Sequence, residues 1–194
     1  MSDWLSRLMV ERGIIEEDDR DIYRFGIHNG FIILLNLFTA LLIGLFTTRL
    51  LVVVVFTLSF MTLRNYTGGY HSDSSVFCYI SSTLVLFIPI YTLYAFEHAP
   101  AALRGTLLIF SIIVILILSP MDSKKRKLDA DEIRHYGRRA RVLLILQLVV
   151  LFILYALGKM ELAYAVYSSI CLIAVFMLIG KAILQIQQYQ DEIE

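Results

Sequence analysis

The chain has 194 residues, of which 58% are hydrophobic, and its formal net charge is zero. A mean hydropathy of +0.73, with the apolar residues gathered into long blocks, excludes an ordinary soluble domain and points to membrane spans. Zero net charge leaves bulk electrostatics silent about partners, and two cysteines, Cys78 and Cys171, make no disulfide framework.

Residues 3–12 put Trp4, Leu5, Leu8 and Met9 on one helical face, and Gly13 is a C-terminal stop signal. The pattern predicts a short amphipathic helix, lying on the membrane surface or packed on the protein itself. Residues 1–25 lack an apolar core segment and contain the acidic run Glu16-Glu17-Asp18-Asp19, so no signal peptide is expected. A first span is predicted over 27–46 and a second over 48–63. The apolar run 50–63 covers only about 21 Å of a ~30 Å hydrocarbon core, so the second span must draw on its flanks or the bilayer must thin. A third span is predicted over 75–96, with a kink at Pro89, and a fourth over 102–119, closed by Pro120. Fifth and sixth spans follow at 142–157 and 162–181. Gln147, Asn36, Ser59 and Thr62 are expected to hydrogen-bond between helices. The predicted fold class is therefore all-α: a polytopic integral membrane bundle of about six transmembrane helices, one domain over 1–194, preceded by a cytosolic amphipathic segment (1–26).

Lysine and arginine placement gives the orientation. With six spans, Arg49, Arg104 and Lys159 fall on one side and the other fourteen basic residues on the opposite side. Both termini, the 64–74 loop and the basic 120–141 loop are thus expected in the cytosol. A re-entrant second segment would change that parity.

The polar loop between the second and third spans carries the candidate chemistry. It reads Arg64-Asn65-Tyr66-Thr67-Gly68-Gly69-Tyr70-His71-Ser72-Asp73-Ser74-Ser75, with Cys78 just beyond. An ordinary thiol has a pKa near 8.5 and needs help to form a thiolate. If Ser74 or Ser75 caps the third helix, Cys78 falls in its first turn, where the helix dipole favours the anion. His71 can serve as base or ion-pair partner. On one continuous helix, residues seven apart are separated by about 10.5 Å along the axis, so His71 must lie on a loop folding back. Gly68-Gly69 permits that bend and can offer backbone N–H groups to an oxyanion. Arg64 at the bilayer edge can bind a carboxylate, orient the loop or anchor its span, and Asp73 can orient His71 or be solvated. A histidine and a cysteine at this spacing also fit a hydrated loop histidine beside a small buried cysteine.

Arg64, Gly68-Gly69, His71 and Cys78 together resemble the signature of the accessory gene regulator protein B (AgrB) family, bacterial membrane cysteine endopeptidases of quorum sensing. The acidic segment leading to Tyr23-Arg24-Phe25-Gly26, and Pro120-Met121-Asp122-Ser123-Lys124 through Leu128, are also similar to that family. The run Lys124-Lys125-Arg126-Lys127-Leu128 lacks the family's lysine-proline-leucine step. The resemblance implies that Cys78 is the nucleophile and His71 the general base and acid. It also implies that a precursor peptide loses its acidic C-terminal tail through a thioester acyl-enzyme and closes to a thiolactone or lactone macrocycle. Arg64 and Gly69 match positions of functional weight in the family; Gly68, Asp73 and Ser75 are supporting candidates from the reading of the loop itself. The implied partners are that precursor, with its amphipathic leader, membrane lipids and a second copy of the chain, although no span shows a strong small-xxx-small face. The basic residues Lys124, Lys125, Arg126, Lys127, Arg138, Arg139 and Arg141 are either topogenic or the dock for the acidic tail.

No metal ligand cluster, phosphate loop, dinucleotide fingerprint or nucleic-acid module is visible, and the proposed chemistry calls for no cofactor. Cys171 reads as packing. Two other classes remain open, a small peptide transporter and a non-catalytic membrane scaffold. The transporter reading lacks the mid-membrane charges that coupled transport uses.

Overall fold

The computed structural model describes residues 2–68, 75–121 and 129–191, and for Ser75, Phe77, Cys78, Gln187, Gln188, Gln190 and Asp191 the backbone alone. Its helices are α1 (Ser2–Glu11), α2 (Arg20–Phe46), α3 (Leu50–Thr67), α4 (Ser75–Tyr91), α5 (Leu93–His98), α6 (Ala101–Leu118), α7 (Ala130–Ala156) and α8 (Met160–Asp191). Among the described residues, α2, α3, α6, α7 and α8 are long and apolar enough to cross a membrane. The apolar helix α4 is shorter, and α5 follows it after a break at Thr92. The protein is an all-α, multi-pass membrane bundle.

The helix boundaries differ from the apolar runs for local reasons. α3 continues past Arg64 to Thr67, because nothing interrupts it before Gly68, whose N–H still bonds the Arg64 carbonyl at 3.2 Å. Its 18 residues therefore reach about 27 Å, and Arg64 to Thr67 belong to a helix and not to the loop expected over 64–74. Residues 130–141, expected as loop, form the first three turns of α7. Asp129 and Glu132 have capping-box spacing, and the Glu132 carboxylate accepts the Asp129 N–H at 3.3 Å. The basic residues Arg134, Arg138, Arg139 and Arg141 thus project from a helix. In α4, Pro89 lacks the N–H that would bond the Val85 carbonyl. The helix nonetheless runs on to Tyr91 before breaking at Thr92.

α8 is the axis of the bundle. Its residues 163–170 are all buried, and α3, α6 and α7 pack around it, with Leu63, Ile115, Leu144, Val166, Ile170, Ile173 and Met177 at the contact. A second cluster joins α2, α3 and α4 to the same helix through Ala40, Val53, Phe56, Leu86 and Ala165. Lipid tails are as apolar as leucine, so what selects this arrangement is close packing and interhelical hydrogen bonds. The outward faces stay apolar: Phe46, Phe152 and Ile117 are largely exposed. α1 packs on α2, with Asp3 paired to Arg24 at 3.2 Å and Trp4 turned outward. The expected helix therefore rests on the protein and keeps an exposed aromatic for the interface.

Polar residues within the spans divide unevenly. Gln147 on α7 donates to the Ser59 carbonyl of α3 at 2.7 Å and lies near the Thr62 hydroxyl at 3.5 Å, which joins two helices as expected. Asn36 instead bonds the Ile32 carbonyl of its own helix at 3.1 Å. Gln147→Leu is expected to weaken α3–α7 packing by about 1 kcal/mol, within the range for interhelical bonds in bilayers. Reversible unfolding in mixed micelles would read it, and Asn36→Leu should have a smaller effect. At the opposite end of α3, Arg49 pairs with Glu161 of α8 at 2.8 Å.

Candidate functional site

The structure gathers the polar end of α3, the chain after α6 and the basic start of α7. The fastening is at Gly68, where α3 ends. Gly68 has φ +73° and forms an isolated parallel bridge with Met121, whose N–H donates to the Thr67 carbonyl at 3.0 Å. A Cβ built on Gly68 would lie 2.5 Å from the Met121 carbonyl oxygen and 3.2 Å from its nitrogen. Both the backbone angle and the close approach therefore require glycine here. Thr67 is fully buried at this junction. The approach of α7 is similarly tight: a Cβ on Gly137 would meet the Pro120 ring at 3.2 Å. The start of the His71 loop and the start of the basic segment are thereby fixed side by side, although 53 positions separate Gly68 from Met121 in the chain.

Cys78 is the fourth residue of α4, so its backbone stands in the first turn of a helix that begins at Ser75. The N–H groups of that turn have no carbonyl partner within the helix, and they favour negative charge at this end of α4. The next residue, Tyr79, ties the turn to α2: its hydroxyl lies 2.8 Å from the Thr39 hydroxyl. Thr39 gives its own proton to the Leu35 carbonyl at 2.9 Å, so Tyr79 is the donor. Arg64 turns inward, its guanidinium 5.2 Å from the centre of the Phe176 ring on α8. Gly69, His71 and Asp73 lie outside the described residues, as do Lys124, Lys125, Arg126 and Lys127, and of Ser75 and Cys78 only the backbone is described.

Two cavities flank the junction. One, of about 320 Å³, is lined by Ser119, Pro120, Ile133, Arg134, Gly137, Arg138 and Arg141. The other, of about 420 Å³, lies between α3 and α7 and is lined by Tyr66, His135, Arg138, Arg139, Val142 and Leu143. In the latter, the Arg139 guanidinium lies 5.6 Å from the centre of the Tyr66 ring, and its Nη1 lies 3.4 Å from the Tyr66 hydroxyl. Tyr66 also packs on Tyr136, ring centres 6.1 Å apart. Of the basic residues singled out from sequence, Arg138, Arg139 and Arg141 are thus brought onto one helix beside the junction. Tyr66, Thr67, Met121, Gly137 and Tyr79 were missed. Gly137, one turn before Arg141 in a helical pattern, was the one readable sign of a close approach.

Cys171, read as a packing residue, is a free cysteine that packs with Tyr164, Tyr167 and Leu93, away from the junction. Among the described residues no group of three metal-ligating side chains gathers.

Searches of curated proteins and of solved structures give no match to this chain. A family model does match, that of accessory gene regulator B, over residues 2–181. The match includes the Gly68–Met121 junction, the first turn of α4 and the basic start of α7. With nearly the whole chain covered, this multi-pass membrane protein belongs to the accessory gene regulator B family, whose members process the precursor peptide of a quorum-sensing system.

Proposed function

We propose that the chain is a membrane cysteine endopeptidase that removes the C-terminal tail of a quorum-sensing propeptide and releases the remainder as a macrocycle. The observation that carries this reading is the placement of Cys78 in the first turn of α4, immediately after the loop that leaves the Gly68–Met121 junction. The positive end of the helix promotes the thiolate, and His71 takes the thiol proton. The thiolate attacks the scissile carbonyl. The C–N bond then breaks, the tail leaves as an amine carrying the proton from His71, and the acyl group remains as a thioester on Cys78. A thiol or hydroxyl within the precursor gives its proton to His71 and attacks that thioester; the Cys78 sulfur leaves, takes the proton back, and a thiolactone or lactone ring closes.

The thioester keeps the acyl group activated, and exchange to a second thiol is close to thermoneutral. Closure is driven by holding both groups together. Hydrolysis competes, which favours a site at or below headgroup depth. Gly68 fixes the start of the loop, Gly69 supplies a backbone N–H donor, Asp73 and Ser75 orient the loop, and Arg64 holds the end of α3 against α8 through Phe176. The acidic tail docks in the cavity around Pro120, between Arg134 and Arg141, with Lys124, Lys125, Arg126 and Lys127 extending the same charge. Both termini and this end of the bundle face the cytosol, by the lysine and arginine asymmetry.

Intact mass measurement of the protein in lipid nanodiscs with its precursor peptide tests the scheme. An adduct of the precursor without its tail, discharged by added thiol and matched by free tail, is the expected result. Tail release with no thiol-sensitive adduct on either the parent protein or a rapidly quenched sample would overturn the acyl-enzyme.

A further inference from the structure

The cavity between α3 and α7 joins two kinds of surface on one helix face. Arg138 and Val142 are four residues apart, as are Arg139 and Leu143, so each cation stands one turn, about 6 Å, from an apolar residue on the same face. Val142 is 59% exposed and begins the apolar part of α7, so this floor opens sideways, toward acyl chains. Arg139 is held by its contacts with the ring and hydroxyl of Tyr66, and Tyr66 keeps its own proton to donate. No carboxylate lines the cavity. The acidic residues of this end of α7 are Asp129, Asp131 and Glu132, and among the described residues none of the ion pairs includes Arg138 or Arg139.

We propose that this cavity binds one anionic phospholipid. The phosphodiester sits between the guanidinium groups of Arg138 and Arg139 and accepts the Tyr66 hydroxyl proton. His135 lies at the headgroup end, and an acyl chain runs along Val142 and Leu143. An acidic peptide would use the cations but has no need of a hydrocarbon floor open to the bilayer. A basic pocket between transmembrane helices with such a floor suits a lipid. Tyr66 stands two residues before Gly68, so the lipid braces the end of α3 against α7 at the junction. This site is independent of the chemistry assigned to Cys78.

Native mass spectrometry of the full-length chain, with phosphatidylglycerol and phosphatidylcholine of identical acyl chains, measures it directly. One tight equivalent of phosphatidylglycerol is expected, preferred by about tenfold or more over phosphatidylcholine. The Arg138→Gln, Arg139→Gln double variant should lose that preference, and the charge-matched Arg134→Gln, Arg141→Gln variant should keep it. A photoactivatable phosphatidylglycerol should label the parent protein at Val142–Leu143, a readout that does not depend on any variant folding. Equal retention of the two lipids, equal loss in both double variants, or labelling elsewhere overturns the site. Displacement of the lipid by millimolar inorganic phosphate or by an acidic peptide also overturns it, in favour of an anion or a peptide site.

Discussion

Cys78→Ala is expected to lower tail release from the precursor by a factor on the order of 10³ or more, the scale on which removing a catalytic nucleophile acts, while precursor affinity stays within a few-fold. His71→Ala should cost on the order of 10² to 10⁴, the usual contribution of a positioned general base. If the two side chains act as one unit, the double variant is no slower than Cys78→Ala alone, because a base without a nucleophile contributes nothing. Tail release under single-turnover conditions in nanodiscs, with binding measured separately, reads all three. A Cys78→Ala protein that releases the tail at the parent rate would remove the nucleophile assignment. Cys171→Ala supplies the internal control: its thiol packs among Tyr164, Tyr167 and Leu93, and its loss should leave tail release unchanged.

How far the site could be read from the chain depends on sequence distance. His71, Cys78 and the glycine pair fall within eleven positions, so residue types and spacing alone raise the question of thiol chemistry. The junction between Gly68 and Met121 was not visible. Met121 is ordinary in its local sequence, and nothing in a single chain pairs its N–H with the carbonyl of Thr67. The same holds for Thr39 and Tyr79, forty residues apart on α2 and α4. Within each span, hydropathy located the helices but not their ends. Apolar runs stop where charge begins, whereas helices stop where a backbone signal stops them. Arg64, Asn65, Tyr66 and Thr67 are polar or amphipathic yet helical, and the Asp129 and Glu132 pair starts α7 twelve residues before Val142. Polar side chains in the spans show the same limit. Gln147 reaches α3, and Asn36, one methylene shorter, turns back to its own helix; periodicity does not distinguish the two cases.

Gly68→Ala tests whether that junction matters to the chemistry. The backbone at Gly68, φ +73° and ψ −156°, lies in a region that residues with a Cβ essentially do not adopt, at a cost of about 1–3 kcal/mol. The added methyl would also meet the Met121 carbonyl oxygen at 2.5 Å, backbone against which no side chain can yield. The strain is relieved most cheaply by opening the bridge, because Gly68 ends α3 and the helix behind it is held by buried Leu63 and Thr67. The fold should therefore survive while the start of the His71 loop shifts away from Met121. A displacement of about 1 Å near a reacting centre costs roughly 10²-fold in rate, so tail release should fall by about that factor. Precursor affinity and the unfolding midpoint should change far less. Gly105→Ala, in open space on α6 with nothing within 4 Å of the added carbon, is the control and should match the parent protein. Wild-type turnover in Gly68→Ala would mean that the bridge to Met121 holds the bundle together without setting the geometry around Cys78. A selective loss of rate would make that backbone contact the element through which α6 and α7 position a loop between α3 and α4.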